Sequence, residues 1–106
     1  MNVVYVAYPY RADTEDECEK NVARAVEYAR ELSELGYVPY VPHLITVSLW
    51  GWDTRDEKLN REITKCDMEM LSRCDVLAVC GERISAGMRA EIEWCAEHDK
   101  KILCIL

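Results

Sequence analysis

Residues 2–8 read Asn2-Val3-Val4-Tyr5-Val6-Ala7-Tyr8, and Pro9 closes the run. A stretch so rich in β-branched and aromatic residues and free of charge reads as a strand buried on both faces. Burial on both faces belongs to a parallel sheet covered by helices. From Thr14 to Leu35 the apolar positions Val22, Ala25, Val26, Ala29, Leu32 and Leu35 recur at threes and fours. Acids crowd the first turn and Gly36 stops the run, so a long amphipathic helix follows the strand. Tyr37–Val41 is a second, shorter strand, placed at the sheet edge because a central position tolerates Pro39 poorly.

Beyond it, Pro42–Asp56 is apolar and aromatic without a clean period, and reads as a loop that is either a lid or an interface. Trp50 and Trp52 within it have three readings: core fill, a contact with a second copy, or a lid stacking on a base. Helical spacing resumes from Arg55 to Arg73 through Leu59, Ile63, Cys66, Met70 and Cys74. Asp75–Gly81 is a third buried strand, Ser85 an N-cap, and the helix after it carries Ile92, Cys95 and Ala96; Lys101–Leu106 is a last strand. Strands alternating with three helices imply right-handed crossovers. The expected fold is an α/β single domain over residues 1–106, a parallel sheet in the order 2-1-3-4 with helices on both faces, flavodoxin- or Rossmann-like.

Composition narrows the function. Thirteen Lys and Arg stand against twenty Asp and Glu, a formal charge of -7. Such a chain repels a phosphate polymer, so no nucleic acid partner is expected, although a single nucleotide can still be held locally by one or two arginines and a helix N-terminus. No apolar run approaches the ~18–20 residues of a membrane span and the N-terminus lacks a signal-peptide pattern; no membrane partner and a cytoplasmic location are expected. The six cysteines, Cys18, Cys66, Cys74, Cys80, Cys95 and Cys104, show no paired ligand spacing. They read as buried, reduced thiols, and neither a metal nor a cofactor is expected.

In a sheet of this order the ligand crevice lies beyond the carboxyl ends of the strands, between the first and third. Two loops face it. Tyr8-Pro9-Tyr10-Arg11 offers Arg11 for a phosphate or for a surface ion pair with Asp13 or Glu15. Ser85-Ala86-Gly87-Met88 is a small-residue helix start whose free N–H groups can receive an anion. Glu91 borders the apolar stripe of that helix, and is either an ionised carboxylate aimed at the crevice or a solvated surface acid; Asp67 carries the same two readings. His43 is an acid-base group or a structural histidine hydrogen-bonded to backbone. Asn21 reaches the Tyr8–Arg11 loop or is plain helix surface.

Taken together, Asp67-x-x-x-Leu71-x-x-x-Asp75-Val76-Leu77-Ala78-Val79 and Ser85-x-Gly87-x-x-x-Glu91, with Ala96 and Lys101-Ile102-Leu103, resemble the C-terminal half of nucleoside 2-deoxyribosyltransferases and the related deoxynucleoside 5'-monophosphate N-glycosidases. The opening strand with Tyr8-Pro9-Tyr10-Arg11, Asn21 and Pro42-His43 resembles the short bacterial and phage branch of that superfamily. The resemblance implies a glutamate nucleophile at Glu91, an aspartate at Asp67 serving the base or its proton, and Ser85 at the sugar or its 5'-phosphate. It further implies substrate contacts from Tyr8, Pro9, Tyr10, Arg11, Asn21, His43, Gly87 and Met88. One departure is Tyr8, which replaces a small residue before the proline and is expected to fill part of the sugar pocket. The expected function is cleavage or transfer at the N-glycosidic bond of a nucleoside or nucleotide, in a homodimer or higher homo-oligomer. The alternatives are a module that binds a nucleotide without turning it over, and a flavodoxin-like interaction domain without a ligand.

Overall fold

A computed structural model describes residues 2–106. Its strands are β1 (Val3–Ala7), β2 (Val38–Tyr40), β3 (Val76–Cys80) and β4 (Lys101–Ile105), and its helices α1 (Glu15–Glu34), α2 (Pro42–Trp50), α3 (Glu57–Arg73) and α4 (Ala86–Glu97). All strand pairs are parallel, in the order β2-β1-β3-β4, as the pattern of the sequence requires.

Alternation along β1 divides the core in two. Val4 and Val6 pack with Ala25, Ala29 and Leu32 of α1 on one face. Tyr5 and Ala7 pack with Leu71 of α3 and with Met88 and Cys95 of α4 on the other. Asp75 fixes where β1 begins, because its carboxylate accepts from the Val3 N–H and its own N–H donates to the Val3 carbonyl, each at 2.8 Å.

The helix ends follow from side-chain chemistry. Thr14 caps α1 by accepting from Glu17 N–H at 3.2 Å, and Glu15, Asp16 and Glu17 complement the positive helix start. Gly36 ends the turn at φ 97°, a left-handed conformation that a Cβ disfavours. Asp56 and Ser85 cap α3 and α4 in the same manner as Thr14.

Two expectations are corrected. Pro42–Trp50 is a helix, not a loop. Proline at the first helical position gives up no needed donor, and Gly51 at φ 88° stops the chain. The periodicity is hidden because the usual contrast is missing: the polar Thr46 is buried beside Pro42, while the apolar Leu44, Ile45 and Leu49 are exposed. Cys104, placed in the core by its apolar neighbours, is exposed because β4 is an edge strand; Cys66 is half-buried and the other four thiols are buried, all six being free.

Candidate active site

A cavity of about 380 Å³ opens beyond the carboxyl ends of β1 and β3, within the ~300–1,000 Å³ usual for small-molecule sites. Its position is dictated by topology: from β1 the chain crosses over to one side and from β3 to the other, leaving a gap between the two loops. Tyr8, Pro9, Tyr10 and Arg11 line one side, and Ser85, Gly87 and Met88 line another. His43 of α2, Asp67 of α3 and Glu91 of α4 complete the set.

The acids occupy the core-facing stripes of their helices. Met88, Glu91, Ile92 and Cys95 share one face of α4, and Ile63, Asp67 and Leu71 succeed one another at intervals of four on α3. Burial is therefore forced on both carboxyls. It pushes Asp67 up to about 7, and one of its oxygens is buried with no hydrogen-bond partner. Burial also pushes Glu91 up to about 7; the Tyr5 hydroxyl opposes the rise and the Asp67 charge adds to it. The Tyr5 hydroxyl is itself buried and makes no hydrogen bond of standard geometry, and burial raises its pKa, with Glu91 and Asp67 reinforcing the effect.

Around this centre the walls are held by specific contacts. The Tyr10 hydroxyl donates to the Trp52 carbonyl at 2.7 Å, and the Tyr10 ring stacks on His43 at 4.6 Å. Burial lowers His43 to about 4, partly offset by its hydrogen bond to the Tyr8 backbone, so the imidazole is neutral at pH 7. Asn21 stands outside the cavity and acts behind it: its Nδ2 donates to the Tyr10 carbonyl at 2.8 Å and ties α1 to the loop. The hydroxyl of Ser85 accepts from the Met88 N–H at 3.2 Å. Gly87 has no positive φ, and a Cβ there would meet only the Ser85 hydroxyl at 4.0 Å, so backbone geometry does not demand glycine. Its bareness leaves the start of α4 open to the cavity.

The Tyr8 ring, expected to fill part of the site, is instead directed away from the cavity that its residue helps to line. Strand alternation turns it to the α1 face, where it lies 5.6 Å from the Tyr28 ring and against Gly81. Neither Trp50 nor Trp52 lines the cavity. Tyr5, Arg83, Asn60 and Thr64 also line it, beyond the residues expected from the sequence. A signal existed for three of these: Asn60, Thr64 and Asp67 recur at four and three on α3 as a polar stripe, and a tyrosine in a strand buried on both faces needs a partner for its hydroxyl.

Fold and cavity define a Rossmann-like α/β protein with an acid-lined cleft at the switch point of a parallel sheet. The chain belongs to the family described as Domain of unknown function (DUF7768), which matches residues 2–105. Its structure is similar to that of the 2-deoxyribosyltransferase from the psychrotolerant bacterium Bacillus psychrosaccharolyticus, with a TM-score of 0.66, 18% identity, and coverage of 96% of this chain and 70% of that one. At that identity the likeness shows a shared fold. Among curated proteins none matches this chain. No helix among the described residues is long and apolar enough to cross a membrane.

Proposed function

We propose that the protein cleaves or transfers at the N-glycosidic bond of a nucleoside or nucleotide, with Glu91 as nucleophile and Asp67 as proton donor to the leaving base. The observation that carries this reading is the meeting of the two carboxyls, from different helices, in one cavity beside the Tyr5 hydroxyl. The fold shared with a 2-deoxyribosyltransferase supports it. Two acids that each titrate at about 7 hold about one proton between them at neutral pH, which supplies one carboxylate and one acid.

In the first step the Glu91 carboxylate attacks the anomeric carbon through an oxocarbenium-like transition state. The carbon–nitrogen bond breaks, its electron pair goes to the base, and the Asp67 proton neutralises that nitrogen. In the second, water or an incoming base gives a proton to Asp67 as it attacks the same carbon, and Glu91 leaves. Two displacements retain the configuration. Ser85 and the bare start of α4 receive the sugar or its 5'-phosphate, with Arg11 beside it. Leu44, Ile45, Leu49 and Trp50 form an exposed apolar face on α2, and a second copy of the chain covers it.

The test is liberation of free base from deoxynucleosides and their 5'-monophosphates, run beside calorimetric binding on the same panel. Base release abolished by Glu91→Gln supports the reading. Tight binding without release by the wild-type protein moves the function to nucleotide binding alone.

A further inference from the structure

A second hollow adjoins the first. It is a more open trough of about 440 Å³ beside the start of α1, and Arg11 and Arg83 line both it and the carboxylate cavity. The two arginines therefore stand on the border between the hollows. The trough's remaining charged residues are Lys20, Asp13 and Glu17. In the whole chain twenty acids outnumber thirteen bases, whereas here three cations face two carboxylates, so the local balance is reversed. Ion pairs among the described residues join Arg55 to Asp53, Lys65 to Glu62 and Arg73 to Glu69. Arg11, Lys20 and Arg83 have no such partner. Unpaired cations converging on a concave surface concentrate the field that an anion feels.

The position of α4 orders the ligand along this path. Glu91 stands further along α4 beside the buried Tyr5 and Met88, Ser85 and Gly87 stand at the helix start, and Arg83 precedes them in the loop from β3. A nucleotide with its anomeric carbon at Glu91 and its first phosphate at the helix start directs whatever follows that phosphate toward Arg83, Arg11 and then Lys20. We propose that the ligand carries a 5'-diphosphate, its second phosphate held between Arg11 and Arg83 and within reach of Lys20. Planar guanidinium groups suit this task because each offers two parallel donors to one phosphate. Asp13 and Glu17 repel a further phosphate but accept from hydroxyls, so a sugar attached to the diphosphate fits the far end of the trough. The inference rests on the reading of the first cavity as a nucleotide site and names the substrate class that reading leaves open.

The experiment is calorimetric titration of the full chain with an adenine or cytosine nucleoside, its 5'-monophosphate, its 5'-diphosphate and the diphosphate capped by ribose, at low and high salt. The diphosphate is expected to bind on the order of tenfold tighter than the monophosphate, and the gain to shrink as salt rises. Lys20→Gln and Arg83→Gln, checked for an unchanged melting temperature without ligand, are expected to remove most of that gain. Stronger binding of the capped form assigns the trough to a diphosphate-linked sugar, and equal or weaker binding assigns it to a free diphosphate. Equal affinity for mono- and diphosphate overturns the inference, as does a gain that both variants retain. Base release is scored separately on the same ligands. A diphosphate preference without release overturns the glycosidic reading alone, and release without a preference overturns this inference alone.

Discussion

Asp67 of α3 acts on Glu91 of α4 across one cavity, its charge adding to the rise that burial imposes on the glutamate. Both carboxyls titrate at about 7 in the folded chain, above the usual carboxylate range. The folded state thus binds protons more tightly than the unfolded one. The stability linked to these protons is complete below the unfolded values, near pH 4, and is lost as pH rises through 7. Asp67→Asn is therefore expected to exceed the wild type in stability by about 1–3 kcal/mol at pH 8, to keep a smaller part of that advantage at pH 5, and to lose it by about pH 4. Denaturant unfolding of both proteins at these pH values checks this.

Tyr5→Phe removes the hydroxyl that holds Glu91 down. The glutamate is then expected to ionise at higher pH, so that the acid limb of the base-release profile moves upward while activity at alkaline pH falls much less. A pH–rate profile of the variant measures the shift. A profile unmoved on its acid side contradicts a link between this hydroxyl and the nucleophile.

The sheet order was legible because each strand announces itself. Residues 2–8 and 75–81 are uncharged or nearly so and bounded by Pro9 and Gly81, and the stretches between them are long enough for helical crossovers. The second helix is hidden because amphipathic contrast, not helicity, is what periodicity detects: the apolar Leu44, Ile45 and Leu49 face outward while the polar Thr46 faces inward. Both site acids were legible as candidates, and Ile63-x-x-x-Asp67-x-x-x-Leu71 places one of them squarely on the core stripe. What spacing hides is the work of residues that act through others. Nothing local distinguishes Asn21 from a solvated helix residue until the Tyr10 carbonyl is seen 2.8 Å from its amide. The Tyr8 ring likewise turns away from the pocket for a reason of strand parity, which depends on where β1 pairs with β3.

Asn21→Ala leaves the Tyr10 carbonyl without its donor. A loss of about 1 kcal/mol in stability is expected, with weaker ligand binding because the Tyr8–Arg11 loop is no longer tied to α1. Amide exchange across residues 8–12 should quicken in the variant, and Asn21→Asp should not restore binding, because a carboxylate keeps the shape of the side chain but cannot donate to the Tyr10 carbonyl; restoration by Asn21→Asp would reduce the contact to packing.

The outer face of α2 gives a prediction about assembly. Leu44→Glu combined with Leu49→Lys changes two exposed side chains, at 47% and 62% exposure, and should leave the fold intact while converting a dimer or larger assembly to a single chain of 12.3 kDa. Sedimentation velocity at micromolar concentration reads the outcome. A wild-type protein that sediments only as the single chain contradicts the assembly.

The central claim is that Glu91 forms a bond to the sugar. Its most direct measurement is the intact mass of the protein after mixing with a nucleotide whose sugar carries fluorine beside the anomeric carbon, an electron-withdrawing substituent that slows the second displacement. The account predicts one equivalent of released base, a matching mass increase of one sugar or sugar phosphate on the wild-type chain, and peptide mapping that places it on Glu91. Glu91→Gln should show neither, with base release from the natural substrate lowered by at least about a thousandfold, or roughly 4 kcal/mol in the barrier. Undiminished base release by Glu91→Gln, or a sugar adduct mapped to another residue, would contradict it.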